Sequence, residues 1–292
     1  MSDLVLPLPQ SHEFERCCAL LNLTTHRQSW SKGTCLVQTR TLPLLGSVNL
    51  ISRGPISPRS EDQAGRITDL VATLKGPVLL NLERGPRPSR AWRLMDGKTL
   101  AVLRLIEPGK MRARLSQKWR NQLKKAERSS LTVVDQPLDK ARHNWFLTAE
   151  AEQQKSRGYR SHPTGFLLAY AQANRGQARV LTVLENGTPI AAVLIFKHGR
   201  MATYQAGVTT ARGRQLNAHN LLLWQAMCRL QQLGFTELDL GRLDLAPGLA
   251  HFKRGTGAAE LSLSGSYILH PRFLRRPAKT SPTRVKAIEV KP

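Results

Sequence analysis

The sequence contains little that would suit a membrane-spanning, secreted or metal-binding protein. No apolar run approaches the roughly 18 to 20 residues that a membrane helix needs. The N-terminus lacks the positively charged region, apolar stretch and small-residue cleavage site of a signal peptide. Four cysteines are present, and none belongs to a Cys-x-x-Cys pair: Cys17, Cys18, Cys35 and Cys228. We therefore expect buried thiols, no metal and a cytoplasmic protein.

Acidic side chains are also scarce. The chain has 20 Asp and Glu residues against 44 Lys and Arg residues, which gives a net charge of +24. Such an excess predicts attraction to polyanions or to an anionic membrane face, although solvated surface charge alone would also account for it. The stretch from Lys110 to Arg128 holds eight basic residues and one acidic residue. Residues 271–292 are basic and contain four prolines, so we expect a flexible tail there.

The pattern of apolar residues predicts an α/β (α+β) fold with two domains. Strands and helices alternate over residues 1–108, which indicates a first, shorter and irregular domain. Residues 109–270 contain helices followed by a meander of apolar strands, and Asn186-Gly187 between two of these strands is a strong hairpin signal. We expect each domain to contain a mixed, mainly antiparallel sheet flanked by helices.

The stretch from Met201 to Leu269 carries most of the functional signal. A short strand leads through a loop with Arg212, Gly213 and Arg214 into a long apolar helix. Because the first N–H groups of a helix are unpaired and carry partial positive charge, this order predicts an anion site. The sequence has no Ser-His-Asp order, His-Glu-x-x-His run or Walker loop, so hydrolases and phosphotransferases have little support.

Five local patterns, taken together and in this order, resemble the Fem family of aminoacyltransferases, which are relatives of the GNAT acyltransferases. The patterns are Ser52-Arg-Gly-Pro-Ile56, Lys118-Trp-Arg-Asn-Gln-Leu-Lys-Lys-Ala-Glu127, Tyr204-Gln-Ala-Gly207 leading to Asn220-Leu-Leu-Leu-Trp224, Leu233-Gly-Phe-Thr-Glu-Leu-Asp-Leu-Gly241 and Gly248-Leu-Ala-His-Phe-Lys-Arg254. The resemblance implies tandem GNAT-like domains. It also implies transfer of an amino acid from aminoacyl-tRNA to an amine of a peptidoglycan precursor or another peptide.

The donor loop departs from the usual pattern for coenzyme A. GNAT loops that hold coenzyme A place small residues where this chain, counted from Arg212, has Gln215 and Asn217. Side chains at these positions would crowd a pyrophosphate. We therefore expect no tightly bound cofactor and a looser contact of Arg212, Gly213, Arg214 and Asn217 with the co-substrate, aminoacyl-tRNA. Acyl-CoA remains the alternative co-substrate.

Transfer of an acyl group to an amine requires stabilisation of an oxyanion and removal of a proton. Lys253 matches the lysine of the family's Phe-Lys motif, so the resemblance implies contact with the oxyanion or with phosphate; a surface lysine after a turn is the alternative. Asp239 could accept a proton or orient a partner, or only shape a turn. Tyr204 could line the site or only pack. His219 and His251 are lone histidines that could act as bases.

The basic helix supplies the remaining site candidates. Lys118, Arg120 and Lys124 could contact phosphates of the acceptor or of tRNA, or could be solvated charges only. The expected partners are tRNA or another acidic acyl carrier, and an amine acceptor that includes a cell-wall precursor at the inner membrane face. Two other hypotheses stay open: an N-acyltransferase that uses acyl-CoA or acyl carrier protein, and a non-catalytic GNAT-like protein that binds RNA or a membrane surface.

Overall fold

The computed structural model describes residues 4–43, 46–58 and 63–274, and these residues form two sheets covered by helices. The first sheet has the order β1-β2-β3-β4-β13-β5. Its strands are β1 (Thr25–Trp30), β2 (Gly33–Leu42), β3 (Gly46–Ser52), β4 (Val78–Leu82), β13 (Gly265–Leu269) and β5 (Trp92–Met95). A 3₁₀ turn (Leu8–Gln10), α1 (His12–Leu20) and α2 (Gln63–Thr73) belong to the same part of the chain.

The second sheet has the order β12-β6-β11-β10-β9-β8-β7. Its strands are β12 (Ala259–Ser262), β6 (Thr99–Arg104), β11 (Glu237–Arg242), β10 (Met201–Thr209), β9 (Thr188–His198), β8 (Ala178–Glu185) and β7 (Leu131–Pro137). The helices are α3 (Pro108–Arg114), α4 (Gln117–Glu127), α5 (Asn144–Arg157), α6 (Thr164–Ala173), α7 (Ala211–Gln215), α8 (Ala218–Gln232), α9 (Pro247–Arg254) and α10 (Pro271–Leu274). The predicted α/β (α+β) class with two mixed sheets is confirmed.

Alternating apolar residues explain why helices cover both faces of the second sheet. On one face, Leu123 of α4 and Leu222 of α8 pack in a core with Val193 of β9. On the opposite face, Phe146 of α5 packs in a core that also contains Cys17 and Cys18. Burial raises the pKa of the Cys17 thiol to about 12 and that of Cys18 to about 11, so both thiols stay protonated. Among the described residues, no helix is both long and apolar enough to cross a bilayer.

The basic stretch from Lys110 to Arg128, which the sequence predicted to be helical, forms two helices, α3 and α4. Leu115 and Ser116 adopt extended backbone conformations and separate α3 from α4. The Ser116 hydroxyl accepts a hydrogen bond from the Trp119 N–H at the start of α4. The Ser116 N–H donates to the carbonyl of Gly255 at 2.9 Å, which fixes the start of α4 beside the end of α9.

The two sheets exchange strands. β6 precedes the predicted domain boundary at residue 108, yet it pairs with β11 and β12 in the second sheet. β13 follows most of the second sheet in sequence, yet it pairs with β4 and β5 in the first sheet. The division into residues 1–108 and 109–270 remains a prediction about domains, but the sheets do not divide at that residue. The predicted tail falls outside the described residues from position 275 onward.

A buried ion-pair cluster connects residues that follow β3 and β4 in the first sheet to β11 in the second sheet. Arg53 follows β3 and donates to both carboxylate oxygens of Glu83, at 2.6 and 3.0 Å. The same guanidinium donates to Asp239 of β11 in the second sheet. The side chains of Arg53, Glu83 and Asp239 are only 15%, 12% and 3% exposed. The two carboxylates raise the pKa of Arg53 although burial opposes this, so the guanidinium stays charged.

Replacing Arg53 by Ala should strongly destabilise the protein. The substitution leaves two buried carboxylates without a counter-charge, and breaking a buried pair in this way costs about 3–5 kcal/mol. Denaturant-induced unfolding would measure the loss. Arg254→Ala is the matched control, because the Arg254–Glu260 pair is 55% and 47% exposed and should contribute less than about 1 kcal/mol. Equal losses in the two variants would contradict the assigned role of Arg53.

Candidate functional site

The candidate site lies where two parallel strands separate. β10 and β11 pair only from Met201↔Glu237 to Thr203↔Asp239. β10 then has a register irregularity between Tyr204 and Ala206 but stays paired with β9 as far as Thr209. The two strands therefore diverge after their third pair, and we call the opening between Tyr204–Thr209 and Leu240–Arg242 the splay cleft. Side chains from α8 and α9 border this cleft.

A tyrosine, a histidine and a threonine form a chain of hydrogen bonds on the β10 side of the cleft. The Tyr204 hydroxyl lies 3.0 Å from Nε2 of His219, at the start of α8. The other ring nitrogen of His219, Nδ1, lies 3.0 Å from the hydroxyl of Thr209. Phe252 of α9 stands edge-on to the imidazole, with ring centroids 5.5 Å apart. Tyr204 and His219 are both half-buried, so the pair borders the cleft and keeps some access to solvent.

The apolar surroundings set the protonation states of this pair. Burial lowers the pKa of His219 to about 4, so its imidazole is neutral near pH 7. Burial also raises the pKa of Tyr204 above its usual value, because the phenolate form would be poorly solvated. Because the phenol is protonated and the imidazole is neutral, the phenol can give its proton to the imidazole while it accepts another proton from a substrate. In that case no separate phenolate has to form.

Gly207 allows the tyrosine to reach the histidine. A Cβ atom built on Gly207 would lie 1.8 Å from the Tyr204 hydroxyl and 2.8 Å from Cε1 of His219. Any larger residue at this position would therefore displace the tyrosine. The Tyr204-Gln-Ala-Gly207 motif is thus explained by contact between its first and last residues.

Lys253 and Asp239 lie on the β11 side of the cleft. The Lys253 ammonium donates to the carbonyl of Arg242 at 2.7 Å, and the side chain is buried. Burial lowers the pKa of Lys253 to about 8, while the nearby Asp239 carboxylate opposes the shift. Asp239 accepts from Arg53 through one oxygen and from the Gly241 N–H through the other, at 2.7 Å. This arrangement favours an orienting role for Asp239 over that of a proton acceptor.

The predicted donor loop is occupied by its own side chains. Arg212 forms a two-pronged ion pair with Glu185, at 2.8 and 2.6 Å. The Gly213 N–H donates to the hydroxyl of Thr210 at 3.0 Å. Arg214 donates to the carbonyl of Thr209 at 2.7 Å. A Cβ on Gly213 would lie 2.4 Å from the carbonyl oxygen of Ile190, so close packing against β9 explains this glycine without a ligand.

A polar groove lies between α4 and the junction of α7 with α8. Its volume is about 690 Å³, and its lining residues are Gln117, Lys118, Asn121, Gln122, Lys125 and Asn217. Lys118 and Asn217, which were predicted to contact phosphate and co-substrate respectively, therefore share one surface. The other two predicted phosphate contacts, Arg120 and Lys124, do not line the groove. Gln117, Asn121 and Lys125 follow one another at intervals of four residues, which places them on one face of α4. This spacing could have predicted from the sequence that they share a surface.

A second polar cluster lies against β10, and no local sequence pattern predicted it. The Tyr159 hydroxyl donates to the buried carboxylate of Glu150, at 2.9 and 3.1 Å. Gln153 donates to Tyr159 and to the backbone carbonyl of Gly207, at 2.9 and 3.1 Å. Burial raises the pKa of Glu150, and the surrounding donors oppose the shift. The cluster therefore connects α5 and the following loop to β10. His251, the other lone histidine, is exposed and lies outside these clusters.

Comparison with known proteins shows that half of this chain matches a family model. The family model described as "Acetyltransferase (GNAT) domain" matches residues 109–254, which is 146 of the 292 residues. The crystal structure of FemX superposes with a TM-score of 0.71 at 12% identity and covers 90% of this chain and 92% of that chain. A conserved protein of unknown function from Bacteroides thetaiotaomicron gives a TM-score of 0.58 at 13% identity, with 89% and 90% covered.

A third structure, that of L-PGS from Bacillus licheniformis, gives a TM-score of 0.51 at 13% identity, with 91% of this chain and 95% of that chain covered. A search of curated protein sequences found no significant match. The predicted resemblance to Fem-like, GNAT-related proteins is confirmed at the level of the fold, and identities this low carry it no further.

Replacing Gly207 by Ala should separate Tyr204 from His219. Because the new methyl group would overlap the tyrosine hydroxyl, we expect a loss of about 1–3 kcal/mol in unfolding free energy. NMR titration should also show a changed pKa for His219. Gly165→Ala in α6 is the control, since a Cβ there meets nothing within 4 Å. A Gly207→Ala protein with unchanged stability and an unchanged His219 titration would contradict the close contact.

Proposed function

The chain belongs to the GNAT acetyltransferase family, and on this premise we propose that it moves an aminoacyl group from aminoacyl-tRNA to an amine. The prediction that the chain is an acyltransferase is confirmed by the family match. The choice of donor depends on the loop that contains Arg212 and Gly213, whose polar groups are already bonded within the chain. Since Glu185 neutralises Arg212 and Thr210 caps the Gly213 N–H, the pyrophosphate of coenzyme A has no ready cradle there. An aminoacyl ester of tRNA lacks this pyrophosphate.

The charge distribution supports a polyanionic donor. Lys118, Arg120 and Lys124 project from α4 and form no ion pair within the described residues. A net charge of +24 also raises the affinity for RNA through release of counterions. Because aminoacyl-tRNA is a cytoplasmic molecule, the proposed place of action is the cytoplasm. The acceptor we propose is an amine of a peptidoglycan precursor or another peptide, at the inner membrane face where such a precursor is lipid-linked.

In the proposed reaction, the acceptor amine attacks the ester carbonyl in the splay cleft. A C–N bond forms, the C–O bond of the ester breaks, and the ribose hydroxyl leaves. The amine loses one proton and the leaving oxygen gains one. We assign this transfer to Tyr204 and His219: the phenol accepts the amine proton as its own proton moves to Nε2, and the reverse steps protonate the leaving oxygen.

Lys253 is the proposed contact for the oxyanion. Its ammonium is held at the end of β11 by the Arg242 carbonyl, and a buried cation stabilises developing negative charge more strongly than a solvated one. Asp239 acts through its neighbours, since its bonds to Arg53 and the Gly241 N–H fix the turn under the lysine. Lys253 is thus proposed as a catalytic residue and Asp239 as a positioning residue.

One alternative donor has a specific observation in its favour. The exposed cations of α4 would also suit an acidic acyl carrier protein, because complementary charge speeds association whatever the partner. Arg212 and Arg214 would then contribute little, since both are bonded within the chain.

A donor experiment separates these possibilities. We expect radiolabelled amino acid to pass from aminoacyl-tRNA to a peptide amine in the presence of the protein. A ligand with a micromolar dissociation constant, added at 100 times that concentration, would raise the free energy of unfolding by about 2.7 kcal/mol. We expect acetyl-CoA at the same concentration to raise it by much less. Strong stabilisation by acetyl-CoA, or acyl transfer from it, would contradict the tRNA donor. Transfer from acyl carrier protein alone would favour the alternative.

Replacing Lys253 by Met should lower kcat by about 10²–10³-fold, as loss of an oxyanion contact does, and should change stability little, because Met fills a similar volume. Wild-type kcat should fall as pH rises through about 8, where Lys253 loses its proton. Lys253→Arg should keep its activity above that pH because a guanidinium stays charged. Lys110→Met, an exposed lysine of α3, is the control. Unchanged kcat in Lys253→Met would remove Lys253 from the site.

A further inference from the structure

One face of the first sheet carries a row of apolar side chains outside the apolar cores. Directly paired residues of neighbouring strands lie on the same face of a sheet. The pairs Leu50↔Leu79, Leu79↔Ile268 and Ile268↔Trp92 therefore form a row across β3, β4, β13 and β5. The first three side chains are half-buried, and that of Trp92 is exposed. None of the four belongs to any of the three apolar cores that the described residues form.

The positions of α1 and α2 explain why this row is left outside the cores. Ile51 and Tyr267 alternate with the row along their strands, so they lie on the opposite face, where they pack in a core with α2. Leu36 lies two residues before the partner of Leu50, on the same face as the row. It packs in the core that contains Phe14 of α1. The two helices thus account for the opposite face and for the β2 end of this face, and the β5 end remains open.

Exposed apolar side chains are concentrated at this open end. β5 is the edge strand of the sheet, and its residues Trp92, Leu94 and Met95 are 51%, 51% and 56% exposed. Phe273 of α10 is 50% exposed and stands edge-on to Trp92, with ring centroids 5.4 Å apart. A cluster of large exposed apolar groups marks a surface that a partner covers. We call the row together with Leu94, Met95 and Phe273 the apolar face.

The apolar face has basic residues around it. Residues 84–98 contain one acidic residue, Asp96, and five exposed basic residues: Arg84, Arg87, Arg90, Arg93 and Lys98. The Arg90 guanidinium donates to the carbonyl of Phe273, and Arg272 is the residue before Phe273. The sequence continues from α10 into residues 275–292, which include six basic residues and one acidic residue. A partner that covers this face therefore meets mainly positive charge.

We propose that the apolar face docks on an anionic lipid bilayer. Tryptophan is favoured at the boundary between acyl chains and lipid headgroups, where one part of the ring is apolar and the N–H is solvated. Arginine can pack its aliphatic stem against apolar groups while its guanidinium reaches a phosphate. Binding of a protein to the surface of a bilayer becomes tighter with the apolar area that is buried and with attraction to anionic lipids. The apolar face supplies both contributions.

Charge favours a bilayer over a second copy of the chain. Two copies that met symmetrically through β5 would bring residues 84–98, with a net charge of +4, against the same residues of the other copy. The net charge of +24 on each copy would add to that repulsion. Anionic headgroups would instead neutralise these residues. The arginines beside β5 thus oppose pairing of two edge strands and favour contact with lipid.

This inference deepens the proposed function by naming the surface through which the protein would reach a lipid-linked acceptor. It rests on the proposed function for the purpose of docking. Docking itself can be measured without any transfer reaction, because it requires only the chain and a bilayer.

Co-sedimentation of the full chain with lipid vesicles tests the proposal. We expect binding to vesicles of phosphatidylcholine mixed with anionic phosphatidylglycerol, little binding to phosphatidylcholine alone, and weaker binding as salt is raised. Trp92→Gln combined with Leu94→Gln should weaken binding about tenfold or more, since less apolar area enters the bilayer. Leu233→Gln at the end of α8 is the apolar control, because its side chain is 57% exposed and lies outside the apolar face.

A second pair of substitutions tests the charge. Arg93→Gln combined with Arg272→Gln should weaken binding about fivefold per residue and make it fall less steeply with salt. Lys124→Gln combined with Lys125→Gln removes the same charge from exposed positions of α4 and should leave binding nearly unchanged. Thermal unfolding of every variant distinguishes lost docking from lost folding.

Four results would overturn the proposal: no binding to either kind of vesicle, equal binding to both kinds, wild-type binding in the Trp92→Gln, Leu94→Gln variant, or equal losses in the two charge variants. A wild-type dimer in sedimentation velocity that this apolar variant dissociates would instead assign the apolar face to a second copy. If vesicles bind as expected but no amino acid reaches any amine, the proposed function falls alone. If transfer to a soluble peptide amine depends on Lys253 while vesicles do not bind, the docking proposal falls alone.

Discussion

The buried guanidinium of Arg53 is the interaction on which the arrangement of the site depends. It stands between Glu83 of the first sheet region and Asp239 of the second sheet. Asp239 in turn accepts a hydrogen bond from the Gly241 N–H. The backbone carbonyl of Arg242, the following residue, accepts a hydrogen bond from the Lys253 ammonium. A charge at the junction of the sheets thus determines where a cation stands in the splay cleft. Few acidic residues are available in this chain, and two of them are committed to one arginine.

The remaining positive charge is divided between paired and unpaired groups. Arg212 is neutralised by Glu185, Arg112 by Glu127, and Asp135 lies between Arg179 and Arg229. By contrast, Lys118 and Lys125, the lysines of the polar groove, have no carboxylate partner within the described residues. The positive charge of Lys118 and Lys125 is therefore available on the surface of α4, whereas the charge of Arg212 at the start of α7 is balanced by Glu185.

Local features were predictable from the sequence because they depend on neighbours in the chain. Asn186 and Gly187 form the expected two-residue turn between β8 and β9, and both adopt positive φ. Tyr204, Asp239 and Lys253 were also predicted as site residues, and all three border one cleft. The pairing of Arg53 with Asp239, 186 residues apart, and of β13 with β4 depends on tertiary packing, which local patterns do not encode. For the same reason the sequence predicts Arg212 as an anion ligand but does not show that Glu185 lies beside it.

The strand exchange has a mechanical consequence. Two halves joined by a single linker can swing apart about one hinge, whereas here the chain passes from one sheet to the other before β6 and returns at β13. Any opening between the sheets would have to bend both connections together and break the Arg53 cluster. Substrates should therefore enter through surface loops and grooves, with the sheets serving as a fixed frame. Cutting the chain at residue 108 would leave each half lacking a strand that the other carries.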